Sequence, residues 1–198
     1  MRGRLAAGLG VLVVAGFAPN AAEAARSCPP AGSSNLAATR DVHVFRDGDE
    51  TYACHERSRK GPYLLADADY DESIKVLRIA GRYVGYSMLY KQLPGTAVTR
   101  VVNVRRGAQT FYSSYGGYAY ITDLELGTNG WVAVITRLID GPGLPRYEVS
   151  LGTNGAVLDE GMDIDPRSLV LRGRTLYWTR GSQRRAPLRP FTERERYP

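Results

Sequence analysis

The strongest constraint on the fold of this chain is a pattern that returns three times: a β-rich run, a turn built on glycine, and a second run ending in aromatic or branched residues. It occupies Ile74-Lys-Val-Leu-Arg-Ile-Ala-Gly-Arg-Tyr-Val-Gly-Tyr86, residues 121–135 and residues 168–178. The turns, near Gly81, Gly127 to Gly130 and Gly173, come about every 45 residues, the length of one four-stranded propeller blade. Such spacing requires a second hairpin per unit, and two are legible. Val98 to Arg105 turns at Gly107 into Thr110 to Ser113, and Tyr147 to Leu151 turns at Gly152 to Gly155 into Ala156 to Leu158. The phrase Leu-Gly-Thr-Asn-Gly therefore stands twice, at 126–130 and 151–155, each time at a hairpin tip.

The third unit has its first hairpin at 168–180 and no clear second one. A hairpin at 42–55, turning on Asp47-Gly48, is left without a unit of its own. One sheet built from both ends of the chain would resolve both shortfalls and remove exposed edges. The expected fold is all-β: three propeller-blade-like antiparallel sheet units, the N- and C-terminal hairpins able to share one sheet, with a β-sandwich as the alternative. No amphipathic helix is legible after the first 24 residues.

Three phrases, Ile79-Ala-Gly-Arg-Tyr-Val-Gly-Tyr86, residues 121–130 and residues 165–178, resemble uncharacterised secreted proteins of high-GC Gram-positive bacteria, with looser similarity to TolB-like β-propeller repeats. The resemblance covers roughly residues 40–188. It implies a fold and carries no activity. Three blades are fewer than the usual four to eight, so the resemblance leaves open a compact arrangement of three sheets, a ring completed by a second copy, or a sandwich.

Residues 1–24 have the order of a secretory signal peptide: Arg2 and Arg4, an apolar run from Leu5 to Ala18, then Pro19, Asn20 and the small-residue site Ala22-Glu23-Ala24. The apolar run is about 14 residues, short of the roughly 20 of a spanning helix. The expected product is secreted or held at the cell surface, with no membrane span after cleavage. Residues 25–40 read as a leader arm, 41–185 as the β-repeat domain, and 186–198 as a flexible tail with the alternating charges Glu193-Arg194-Glu195-Arg196. Export gives the two cysteines, Cys28 and Cys54, a compartment in which to pair. A disulfide is favoured over a metal site with His43 and His55, which lacks a Cys-x-x-Cys spacing. No metal or cofactor is expected.

The net charge is +6, carried almost wholly by arginine, with lysine only at 60, 75 and 91. The arginines are scattered and lack the aromatic interleaving of an RNA-binding surface. They read as solvated surface, and nucleic acid is not an expected partner.

Chemistry is thinly signposted. Asp67-Ala-Asp-Tyr-Asp-Glu72 resembles a calcium loop in its first positions but has Glu72 where the turn needs glycine and Arg78 where a bidentate glutamate should stand. Asp159, Glu160, Asp163 and Asp165 could supply paired carboxylates for glycoside hydrolysis, although turn formation before Pro166 accounts for them more simply. The histidines are confined to the first hairpin, and no Gly-x-Ser-x-Gly elbow is present. The best binding candidates are the tyrosines Tyr112, Tyr115, Tyr118 and Tyr120, beside Gly116 and Gly117. A tyrosine offers a broad apolar face and a hydroxyl at low entropic cost. Packing between sheets is the alternative use for them, and Trp131 and Trp178 read as core. The functional expectation is an exported, non-catalytic binding or interaction module for an extracellular protein or glycan. A small carboxylate-dependent hydrolase and a partial propeller completed by self-association are the alternatives.

Overall fold

The computed structural model describes residues 28–67, 72–90, 96–115, 117–139, 143–152, 155–173 and 175–187, so the signal-peptide reading of residues 1–24 lies outside the described residues. Among the described residues fifteen strands form four antiparallel sheets in chain order, and each strand hydrogen-bonds to the one before it in its sheet. The first sheet holds β1 (Ser34–Ala38), β2 (Val42–Asp47), β3 (Glu50–His55) and β4 (Tyr63–Ala66). The second holds β5 (Glu72–Ala80), β6 (Tyr83–Tyr90), β7 (Thr96–Asn103) and β8 (Ala108–Tyr115). The third holds β9 (Ala119–Leu126), β10 (Val132–Leu138), β11 (Arg146–Leu151) and β12 (Ala156–Gly161). The fourth has three strands, β13 (Val170–Arg172), β14 (Thr175–Arg180) and β15 (Ser182–Pro187).

The all-β, blade-like architecture expected from the repeats is what forms, and the four hairpins legible in the first two repeat units are all present, in the second and third sheets. Two details change. Among the described residues there are four sheets in place of three, and the hairpins at 42–55 and 168–180 lie in different sheets. The hairpin at 42–55 recruits its own flanking strands. β1 comes from the segment read as a leader arm, and β4 follows the turn at 56–62. Their signals are weak because both are short and β1, Ser-Asn-Leu-Ala-Ala, is largely exposed, as suits an edge strand.

The sheets stack face to face. One apolar cluster joins the first and second sheets through Val42, Val44, Ala53 and Leu65 against Val84, Tyr86, Met88 and Val102. Another joins the second and third, with Tyr83, Ala97 and Val101 against Ile121, Leu124, Leu126, Val132 and Val134. The last joins the third and fourth, with Trp131, Ala133, Ile135 and Val149 against Ile164, Leu169, Leu176 and Trp178. Strand β10 supplies both of the latter clusters from its two faces, which explains why Val132-Ala-Val-Ile135 is a continuous apolar run and not an alternating one. Both tryptophans are core, as expected.

The repeated Leu-Gly-Thr-Asn-Gly phrase has a physical basis. At Gly127 a side chain would collide with the Trp131 ring, and at Gly152 with Val132 and Phe111. In each case the glycine amide donates to a carbonyl of β10 or its approach: Gly127 to Trp131 at 2.9 Å and Gly152 to Val132 at 2.8 Å. The closing glycines Gly130 and Gly155 both take positive φ, +89° and +63°, which a residue with a side chain adopts only under strain.

Cys28 and Cys54 form a disulfide with their Cα atoms 5.8 Å apart. Cys54 projects from the same face of β3 as Tyr52, which stacks on Phe45 of β2 at 5.7 Å between ring centroids. The opposite face carries Val44 and Ala53 into the core. The bridge therefore ties the start of the described chain to the outer face of the first sheet. His43 is paired with Glu56 at 3.0 Å, and the His55 Nδ1 accepts from the Arg57 amide.

Candidate functional site

The acidic group at 159–165 was expected to be a solvated loop and turn before Pro166 or a pair of catalytic carboxylates; Asp165 forms such a turn, whereas Asp159 and Glu160 are placed differently. Asp159 and Glu160 lie on β12, and Asp159 is buried between the third and fourth sheets. Its Oδ2 accepts from the Trp178 Nε1 at 2.8 Å, and its Oδ1 accepts from the Arg180 Nη1 at 2.8 Å and from the Glu160 amide at 2.9 Å. Burial raises the Asp159 pKa, but the donors from Trp178 and Arg180 outweigh it and hold the carboxyl below its ordinary value. Arg180 also donates its Nε to Asp163 at 2.7 Å and an Nη1 proton to the Glu160 carbonyl at 2.8 Å. Glu160 pairs with Arg146. Asp165 closes its own turn by accepting from the Arg167 amide at 3.0 Å, and its backbone carbonyl accepts from the Ser168 hydroxyl at 2.8 Å. These carboxylates are committed to holding β12, β14 and the turn between the sheets together.

A second buried carboxylate, Asp123 of β9, does similar work. It takes the Leu169 amide at 2.9 Å, the Leu124 amide at 2.9 Å and the Arg78 guanidinium at 3.3 Å. It thereby joins β5, β9 and the approach to β13. Of the arginines read as solvated surface, Arg78, Arg146 and Arg180 are in fact engaged in these ties.

A concavity lies where these elements converge. A cleft of about 490 Å³ opens between β5 to β7 of the second sheet and β9 to β11 of the third, closed on one side by Pro166 and Arg167. Its buried lining is Ser87, Met88, Ala97 and Ile121. Its more exposed lining is Lys75, Tyr120, Arg137, Tyr147 and Arg167. A smaller cleft of about 340 Å³ adjoins it and shares Lys75, Val76, Thr122 and Arg167. The size and the mixture of apolar lining and a few polar groups are those of a small-molecule site.

Strand register builds the cleft wall. Arg137 of β10 lies directly opposite Tyr120 of β9 and Tyr147 of β11, so the three side chains form one row across three strands. Neighbouring strands are about 4.8 Å apart, so Arg137 has a tyrosine directly opposite it on each adjoining strand. Among the described residues Lys75, Arg137 and Arg167 make no ion pair, no carboxylate lines the larger cleft, and the buried Nε of Arg137 finds no hydrogen-bond partner.

Of the tyrosines singled out from the sequence, Tyr120 reaches this cleft. Tyr118 is 59 % exposed on the connection between β8 and β9 and does not line it. The backbones of Tyr112 and Tyr115 belong to β8, and their side chains lie outside the described residues. The acidic stretch that resembled a calcium loop lies mostly outside the described residues, which include Asp67 and the backbone of Glu72. Sequence reading missed Lys75, Arg137, Tyr147 and Arg167. The one local signal was on β9, where Tyr120 lies one position out of step with the core residues Ala119 and Ile121; Arg137 and Tyr147 are in phase with the core residues Ile135 and Val149 and carry no such signal.

No protein-family model, no curated protein and no solved structure matches the chain.

Proposed function

We propose that this chain is an exported, non-catalytic binding module whose ligand site is the cleft between the second and third sheets. The observation that carries the reading is the cleft itself: apolar at its base, bordered by two tyrosines and by three cations that make no ion pair among the described residues, and walled mainly by strands, with the turn at Pro166 and Arg167 on one side. A rigid strand platform suits recognition because little order is lost when a ligand docks. The signal-like leader at 1–24 and the Cys28–Cys54 bridge support an extracytoplasmic site of action. Asp159 and Asp163 are engaged by Trp178 and Arg180, Glu160 by Arg146, and Asp165 in its own turn, which favours binding over catalysis.

The test is a glycan and peptide array probed with the wild-type protein and with Tyr120→Ala. Binding by the wild type that weakens about fivefold or more in the variant is the expected outcome, given what an aromatic contact contributes. A wild type that captures nothing, or whose binding ignores Tyr120, overturns the assignment of this site.

A second reading, self-association to extend the stack, draws on the end sheets. Among the described residues no apolar cluster joins the first sheet to the fourth. Leu64, 42 % exposed, shares the outer face of the first sheet with Tyr52, and Val170, 40 % exposed, shares that of the fourth with Tyr177. Light scattering over a concentration series decides it, and a monomer throughout would remove it.

A further inference from the structure

We infer that the cleft selects a carboxylated sugar: a pyranose ring that lies against Tyr120 while its carboxylate is held by Arg137, Lys75 and Arg167. The inference rests on the binding-module reading and adds the ligand's chemical class. The charge argument comes first. The three cations approach one concavity from β5, β10 and the turn before β13, and none has a protein anion among the described residues. Elsewhere in this part of the molecule arginines are neutralised: Arg78 by Asp123, Arg180 by Asp159 and Asp163, Arg146 by Glu160. Cations left unpaired in a concave site with apolar walls focus a positive potential there and draw an anion in.

Arg137 narrows the choice among anions. It lines the cleft with its Nε buried, so its terminal nitrogens are what it can offer a ligand. A guanidinium presents a planar fork of donors that matches the two oxygens of a carboxylate. The cross-strand row then sets the rest of the ligand. The anion would sit beside Arg137, which has a tyrosine opposite it on each adjoining strand, at the width of one strand spacing. A ring attached directly to the carboxylate meets the apolar face of Tyr120, and its hydroxyls meet the phenol oxygens and Thr122 at the same edge. An extended acidic peptide would need a long open groove or a free strand edge to bond its backbone, whereas this cleft is a compact concavity of about 490 Å³. The anionic ring could arrive as a free sugar acid or as one unit of an acidic polysaccharide.

The experiment is a titration of the protein, followed by calorimetry and amide NMR, with methyl glucuronide, with the neutral methyl glucoside of the same ring, with a tri-galacturonate and with a tetra-glutamate peptide. The glucuronide is expected to bind and to shift amides of β9 to β11, at least tenfold more tightly than the glucoside, with affinity falling as salt rises. Lys75→Gln combined with Arg167→Gln should weaken it about tenfold while leaving the melting temperature unchanged, because both side chains are exposed. Tighter binding of tri-galacturonate than of the single ring identifies the polymer as the source, and equal binding identifies the free acid; either result supports the proposal. If glucoside and glucuronide bind alike, the charge selectivity is overturned and the binding-module reading stands. If only the peptide binds, the sugar assignment is overturned. If no probe shifts the residues lining the cleft, the inference fails, and it is the array result that decides the broader reading.

Discussion

The first and last interfaces of the stack are held by different means. Between the first and second sheets the contact is aliphatic and aromatic, with Val42, Val44, Leu65, Val84 and Met88 almost fully buried, and it is crossed by a neutral hydrogen bond from the Tyr86 hydroxyl to the Leu65 carbonyl at 3.1 Å. Between the third and fourth sheets the apolar cluster is built on Trp131 and Trp178, and the buried carboxylate of Asp159 reaches across to Trp178 and Arg180. Among the described residues the fourth sheet has three strands, one of them only Val170–Arg172, so this part of it has less surface to bury. Apolar burial is non-directional and scales with area. A smaller sheet gains less from it, and directional charged hydrogen bonds then fix its position more firmly than packing alone could.

The comparison can be broken most forcefully at Trp178. Trp178→Ala should cost about 3–5 kcal/mol, since it empties a large buried volume and removes a donor from Asp159. Denaturant unfolding measures the loss. Trp178→Phe, which keeps much of the packing and removes the donor, separates the two contributions. Should both variants cost the same, the hydrogen bond rather than the packing holds the fourth sheet.

Next in size is the bridge on the opposite end. Replacing both Cys28 and Cys54 by serine opens a loop of 26 residues and should lower stability by roughly 3 kcal/mol in the chain-entropy model. Hydrogen exchange localises the effect, with protection falling in β2 and β3 and holding in β14. Uniform loss across all four sheets would show that the stack unfolds as a single cooperative unit and that the two ends are not independent.

The smallest effect is a pH dependence confined to one interface. The Asp159 carboxyl is held below its ordinary value of about 3.8 by the donors from Trp178 and Arg180. Its contribution is therefore fully present above that value and is lost as the pH falls through the lower, folded-state pKa. Asp159→Asn should cost about 1–3 kcal/mol at neutral pH and flatten this acid limb. In the wild type, β14 amides should lose protection on acidification before those of β6. Simultaneous loss in both strands would erase the distinction between the interfaces.

Much of the fold was legible because its signals are local. Asp47-Gly48, Gly81, Gly107 and the two Leu-Gly-Thr-Asn-Gly phrases mark hairpin turns through backbone conformations and close approaches that only glycine permits. The cysteine pair and the two tryptophans were readable from residue type and compartment. The number of sheets was not legible. β1 and β4 are held by pairing with β2 and β3, a non-local gain that their own residues do not announce.

What the sequence by itself determined is thus the hairpin, the β class and the Cys28–Cys54 bridge, since each depends on neighbouring residues or on residue chemistry. Tertiary structure alone decided the rest. It turned Asp159 from one more acidic residue before a proline into a buried tie between sheets, and it drew Lys75, Tyr120, Arg137, Tyr147 and Arg167 from distant parts of the chain to one cleft. The physical reason is that a strand's period places a side chain on a face, while the register with its neighbours and the stacking of sheets decide what that face meets.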